Sequence, residues 1–339
     1  MKKTLFLIVG ACSILTACSS DKESLYIYNW GDYIEEDLID KFEDETGISV
    51  VYETFASNEA MYQKINAGGS SYDLLIPSDY MIEKMINEDL LQKLDYSLIP
   101  NYEYIMPELK NMEFDENSEY TVPYMWGTVG IAYNKALVET PTSWSVMFDE
   151  ANSGNIFMYD SSRDMIMVAL KYLGYSLNTT DENELNEAKE LLLNQKPLVQ
   201  AYLDDSVKDK MIGEEGTYAV VYSGDAVYMN GENENIGYVV PEEGSNVWVD
   251  SIVIPKDAEN VENAHKFINF IIGTENAKVN SEYIGYTTTN YETLEIIDDS
   301  LKNAEGYNVD IDMDKMEIYR DLGEDIALYD RIYTEVLAR

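Results

Sequence analysis

Two tryptophans in this chain stand beside carboxylates at a spacing that could place them together. In Val247-Trp248-Val249-Asp250-Ser251 the ring and the acid are two residues apart, and residues i and i+2 of a strand share a face. Asn29-Trp30-Gly31-Asp32-Tyr33 repeats the pair with a second ring adjoining, and Ser78-Asp79-Tyr80 adds a hydroxyl and a further ring. A flexible diamine or triamine needs that combination, with carboxylates for its ammonium groups and flat apolar walls for its methylenes. Cation–π contacts supply about 0.5–2 kcal/mol each. Burying four methylenes at about 0.8 kcal/mol each adds roughly 3 kcal/mol. With ion pairs, these approach the roughly 8 kcal/mol of micromolar binding. Taken singly, each pair is better accounted for by a core ring beside a solvated acid, since burial is the common fate of tryptophan.

The elements that must position these residues alternate between strand and helix. Leu25–Tyr28 reads as a buried strand that runs out at Asn29–Tyr33. Ile34, Leu38, Ile39 and Phe42 form a helical stripe closed by Gly47. Ile48–Tyr52 is a second strand, Asn58 is placed to cap the next helix, and Tyr72–Pro77 is a third strand with Ser78 capping a helix through Leu90. This βαβαβ run predicts a doubly wound α/β unit, whose ligand crevice lies beyond the carboxyl ends of its strands. A second unit is expected from about Gly130. It holds strands at Ile156–Tyr159, Tyr218–Tyr222, Ile236–Val240 and Val247–Ile254, and helices at Asp164–Leu173, from Asp181, at Val261–Ile272 and over most of Asp314–Leu337.

Length and charge bound the function. The 339 residues suit two domains. With 64 acidic and 23 basic residues the formal net charge is −41, which argues against nucleic acid and against charge-driven docking on an anionic membrane. Lys2 and Lys3 precede an apolar stretch, Leu5–Leu15, too short to span a bilayer. The stretch runs into Leu15-Thr16-Ala17-Cys18, the pattern of a bacterial lipobox. Export and lipid attachment at Cys18 are expected, and no other cysteine would then remain for a disulfide.

Several strings resemble the bacterial spermidine/putrescine-binding proteins of ABC transporters: Tyr26–Tyr33 (YIYNWGDY), Ser57–Tyr62 (SNEAMY), Tyr72–Met85 (YDLLIPSDYMIEKM), Val122–Gly127 (VPYMWG), Leu173–Thr180 (LGYSLNTT), Trp248–Pro255 (WVDSIVIP) and Ile284–Asn290 (IGYTTTN). They run in order over almost the whole chain. The resemblance implies an α/β, two-lobed, type II periplasmic-binding-protein-like fold that closes on a polyamine and delivers it to an ABC permease. On that basis residues 1–17 are a lipoprotein signal peptide and 18–24 a tether. Lobe 1 is assigned 25–128 and 250–296, and lobe 2 is assigned 131–246 and 300–339. Hinge crossovers fall near 129–130, 247–249 and 297–299. The ligand-binding positions implied are Trp30, Asp32, Tyr33, Ser78 and Tyr80, then Ser161, Asp164, Tyr222, Trp248, Asp250, Tyr286 and Tyr319. Asp250 is the anchor for a terminal amine. Ser161 stands where the family often has Asp, Tyr222 where it has Trp, Tyr319 near an expected Gln, and Gly31 replaces a hydroxyl-bearing residue. These departures bear on the choice between spermidine and putrescine.

No cofactor, metal or catalytic residue is expected, and the chain is read as a monomer tethered to the membrane through Cys18 only. Asp310, Asp312 and Asp314 alternate like a calcium loop, but Lys315 sits where the turn needs glycine. His265 is alone in a helix without a nucleophile-elbow motif. Asp204-Asp205 reads as a cap or solvated turn. The alternatives are a receptor for another cationic amine, a surface interaction protein with a vestigial cleft, and an extracellular glycan-processing enzyme using an acid pair.

Overall fold

The structure, a computed structural model, describes residues 23–68, 71–307, 309 and 311–338. The leader expected over 1–17 and Cys18 lie outside the described residues, as does Asp310. The first strand, β1 (Ser24–Trp30), buries Leu25, Ile27 and Tyr28. It pairs in parallel with β2 (Ser49–Phe55) and β3 (Leu74–Leu75), in the order β2-β1-β3. Helices α1 (Glu36–Thr46), α2 (Asn58–Asn66) and α3 (Asp79–Asn87) connect and follow these strands. Ser57, one residue before the expected Asn58, caps α2 by accepting from the Ala60 N–H at 3.2 Å. Ser78 precedes α3 but its side chain makes no capping bond, which leaves the hydroxyl for another partner.

The second sheet is built on β4 (Val122–Asn134), a 13-residue strand buried along nearly its whole length. It continues through β5 (Ile156–Tyr159), β6 (Val199–Leu203), β7 (Tyr218–Tyr222), β8 (Ile236–Val239), β9 (Val247–Ile252) and β10 (Thr287–Thr288). Along Val122–Thr128, β4 pairs with β9 and β10; along Val129–Asn134 it pairs with β7 and β8. All four partners are antiparallel, whereas β5 runs parallel to β6 and β7. Bridges Leu75–Val253 and Ser78–Asp250 join the small sheet to the β9 segment.

Helices α4 (Ser162–Leu173), α5 (Glu182–Gln195), α6 (Val207–Ile212) and α7 (Ser223–Glu232) serve the β5–β7 region. The remaining helices are α8 (Val261–Ile271), α9 (Thr274–Ile284), α10 (Tyr291–Ile296), α11 (Asp299–Lys302) and α12 (Ile326–Ala338). One core gathers Trp144, Ile166, Leu170, Leu192 and Tyr329. Another gathers Leu25, Ile27, Phe42, Phe267 and Ile268.

The C-terminal stretch corrects the expectation of helix over most of Asp314–Leu337, because α-helix begins only at Ile326, after single 3₁₀ turns at Met313–Lys315 and Gly323–Asp325. Between them the chain is held extended: Glu317 N–H donates to Ser245 O at 3.1 Å and Val247 N–H to Glu317 O at 3.0 Å. Met316 and Ile318 enter one core while Tyr319 enters another, a split that an extended backbone makes easily and one helical stripe does not.

Where β4 meets β8, Gly130 leaves no room for a side chain: a Cβ there would lie 2.6 Å from both Val239 O and the Tyr238 ring. Gly130→Ala is therefore expected to cost about 1–3 kcal/mol by overpacking, read as a lower urea midpoint with an unchanged slope. An unchanged midpoint would contradict this account of the contact.

Candidate ligand-binding cleft

The carboxyl ends of β1, β3, β5 and β7 and one face of β9 converge on a cavity of about 670 Å³. Trp30, Asp32 and Tyr33 enter it from the end of β1, and Ser78, Asp79 and Tyr80 from the start of α3. Trp248 and Asp250 enter it from alternate positions of β9, as strand periodicity requires. Tyr222, at the end of β7, Tyr286 and Tyr319 line it as well, and of these residues Asp79 alone was not among the ligand-binding positions expected from sequence.

Asp250 is a buried acid of this group, only 7% exposed. Tyr33 donates its phenol hydrogen to Asp250 Oδ2 at 2.7 Å. Burial pushes the Asp250 carboxyl up to about 6, against the pull of hydrogen bonds from Ser78 and Tyr33. Asp79 is more deeply enclosed, and burial raises it to about 8 despite backbone N–H groups of Tyr80 and Val249 that donate to it. Tyr33, Tyr222, Tyr286 and Tyr319 are all raised well above ordinary phenols, chiefly by burial. They stay neutral, and Tyr33, Tyr222 and Tyr319 donate from their hydroxyls.

The rings form a continuous series of edge-to-face contacts. Tyr124–Tyr33, Tyr33–Tyr286, Tyr286–Trp248, Trp248–Tyr222 and Tyr222–Tyr159 have centroids 5.5, 6.2, 4.8, 6.4 and 5.2 Å apart. Such pairs add about 0.5–1.5 kcal/mol each beyond area burial and fix the cleft's shape. Gly224 is what lets Tyr286 approach α7, since a Cβ there would sit 2.1 Å from the ring.

Ser161 and Asp164 do not line the cavity. Ser161 caps α4, its hydroxyl accepting from the Asp164 N–H at 3.4 Å. Asp164 is buried behind the wall, where its carboxylate accepts from Tyr222 at 2.9 Å and Tyr319 at 2.8 Å. The Arg163 guanidinium stacks on Tyr319, 4.3 Å from the ring centroid. Asp164 thus orients two rings of the cleft.

The cavity also takes Tyr159, Asp205, Lys208, Asp225 and Tyr228, which sequence reasoning missed. Tyr159 ends β5 and Asp225 stands three residues past β7, so the rule that found Trp30 and Tyr80 would have found both. Asp205, read as part of a solvated turn, is exposed yet accepts from Tyr159 at 2.9 Å. Lys208 carries no sequence signal. His265 is buried among helices, donating from Nδ1 to Val261 O at 2.7 Å and accepting from the Asp95 N–H at Nε2. Its ring holds α8 against the loop before Tyr96. Asp312 caps the turn at Met313–Lys315 by accepting from the Asp314 N–H.

Comparison with known proteins bears on this arrangement. A family model described as bacterial extracellular solute-binding protein matches residues 37–307. The spermidine/putrescine-binding periplasmic protein of Salmonella typhimurium is 35% identical over 332 residues, covering 97% of this chain and 95% of the relative. Among solved structures, the spermidine/putrescine ABC transporter substrate-binding protein PotD from Streptococcus pneumoniae superposes with a TM-score of 0.86 and 42% identity, covering 93% of this chain and 99% of the other. The TpPotD lipoprotein of Treponema pallidum gives 0.84 and 31%, covering 94% and 100%.

The raised Asp250 value has a consequence for stability. Between its ordinary 3.8 and about 6, the folded chain holds a proton that the unfolded chain has lost, so stability falls as pH rises through that window. Asp250→Asn removes the penalty, on the order of 2–3 kcal/mol. Thermal unfolding of ligand-free protein should show the variant gaining a few degrees on wild type between pH 4 and pH 7. A gap that stays constant across that range would argue that Asp250 is not desolvated.

Proposed function

The chain belongs to the bacterial extracellular solute-binding protein family, with its two-lobed α/β fold of type II, and from that premise we propose that it captures a polyamine and delivers it to an ABC permease. The observation that carries this reading is the cleft itself, in which, among the described residues, nine aromatic side chains and five aspartates surround one lysine. A cavity so provided binds extended cations: rings cover methylenes, and carboxylates meet ammonium groups. The names of the relatives support the same ligand class and a transport role. The chain acts by binding and release, without catalysis.

In this reading Asp250 anchors one terminal ammonium, with Trp248 and Tyr286 walling the methylenes and Trp30, Tyr33, Ser78 and Tyr80 shaping that end. Asp32 stands at the mouth. Tyr222 and Tyr319, aimed by Asp164, face the ligand from the other side, and Ser161 keeps α4 in register. We assign lobe 1 to 25–128 and 250–296 and lobe 2 to 131–246 and 300–339, with crossovers near 129–130, 247–249 and 297–299 flexing as the lobes close. The leader over 1–17 directs export, Cys18 carries the lipid, and 18–24 is the tether. The protein works as a monomer outside the cytoplasm. Its net charge of −41 raises the local concentration of polycations.

Isothermal titration of the purified protein with spermidine, putrescine, spermine and lysine tests the ligand class. One-to-one binding of a polyamine at micromolar affinity or tighter is expected, with lysine silent. Asp250→Asn should weaken that binding at least tenfold, whereas a loss under threefold would remove Asp250 from the anchoring role. Silence from every amine with the chain folded would sink the reading. For the anchor, Cys18→Ser should move the protein from the membrane to the soluble fraction; a variant that stays with the membrane would mean the tether is elsewhere.

A further inference from the structure

Lys208 is the only basic side chain lining the cleft among the described residues. It stands at the start of α6, and its Nζ lies 3.1 Å from Asp225 Oδ1 and 3.9 Å from Asp205 Oδ2. The three side chains differ in depth: Asp225 is 10% exposed, Lys208 27% and Asp205 75%. Tyr159, which donates to Asp205, and Tyr228 line the same end. The ammonium therefore sits where a bound amine would settle, between two carboxylates and beside aromatic rings. It is a cation of the protein held in a cation's place.

The consequence is a count of charge. Two carboxylates and one ammonium leave this end with a single net negative charge. At the other end Asp250 supplies one, while the neighbouring Asp79, raised to about 8, is mostly protonated at neutral pH and adds little. Asp32 is exposed at the mouth. Asp205, though exposed, belongs to its end through Lys208, which pairs with both carboxylates, so the two ends together carry two net negative charges. The two ends are also close. Tyr286 packs on Gly224, next to Asp225, and its ring meets that of Tyr33, whose hydroxyl binds Asp250. One tyrosine spans the gap between the two acidic ends.

Building on the polyamine reading, we propose that Lys208 is a specificity-determining residue: as a resident ammonium it replaces one ligand cation and leaves a cleft charge-matched to a short α,ω-diamine and set against triamines and tetraamines. A diamine puts one ammonium at each end and balances both. A third ammonium must share the Asp225–Asp205 end with Lys208, where like charges in a part-buried site are poorly screened.

The test is calorimetric titration of the full chain in mild detergent with 1,4-diaminobutane and with spermidine, for wild type, Lys208→Met and Lys208→Arg. Wild type should favour the diamine at least tenfold. Lys208→Met should shift the ratio of the two affinities at least tenfold toward spermidine, and Lys208→Arg, which keeps the charge, should restore the wild-type order. A Lys208→Met protein that is folded by circular dichroism but leaves the ratio within twofold of wild type overturns the proposal alone. So does a wild type that prefers spermidine. A wild type that binds no amine overturns the polyamine reading, and this proposal with it.

Discussion

A carboxylate held away from water without a cation of its own is the constraint on which the rest of the cleft depends. Asp250 keeps its place because the Tyr33 hydroxyl donates to it at 2.7 Å and an antiparallel bridge sets it opposite Ser78, and Tyr33 is itself held. Tyr124 donates to the Tyr33 carbonyl at 2.6 Å, and Asn280 donates to the Tyr124 hydroxyl at 2.7 Å. Ser78, on the facing side of that bridge, does not spend its hydroxyl on capping α3. Burial of an ionised group without full compensation is costly, and in the function proposed above that cost is what an incoming ammonium relieves.

The same chemistry appears in finished form elsewhere on the chain. Lys64 Nζ lies 4.5 Å from the Tyr28 ring and 5.0 Å from that of Tyr72, two rings stacked 4.5 Å apart, and pairs with Glu53 at 2.9 Å. There the cation is the protein's own, as it is at Lys208. Around Asp250 the rings and the acid are in place, and in the proposed function the matching charge comes with the ligand.

Much of this was readable from sequence because strand alternation is strict. Trp248 and Asp250 had to share a face once β9 was recognised, and Trp30 and Tyr80 had to sit at strand ends once the βαβαβ run was. Distances across the chain were not readable that way. That Asp164 points at two phenols rather than into the cavity depends on where β7 and the segment at Tyr319 come to rest, 58 and 155 residues away. The extended path through Glu317 was missed because its hydrogen-bonding partners, Ser245 and Val247, lie some seventy residues earlier and outweigh local helix preference. Lys208 was invisible for a related reason: a lysine on a short helix normally reaches solvent, and only the fold brings Asp225 within 3.1 Å of it.

The way β4 is shared also governs how the molecule can come into being. Its first half, Val122–Thr128, finds its neighbours only in β9 and β10, and its second half finds them in β7 and β8. Synthesis proceeds from the N-terminus, so more than a hundred residues are made before either edge of Val122–Thr128 is covered. Until Val247–Ile252 arrives, this strand is an open, apolar edge, the kind that invites wrong pairing. The sheet therefore closes late, through contacts of large sequence separation, which makes folding slow relative to chains built from local contacts. A fragment ending before β9 would lack helices α8 to α12 as well as both neighbours of Val122–Thr128, and neither half of the molecule is a unit that can be cut out and passed on by itself.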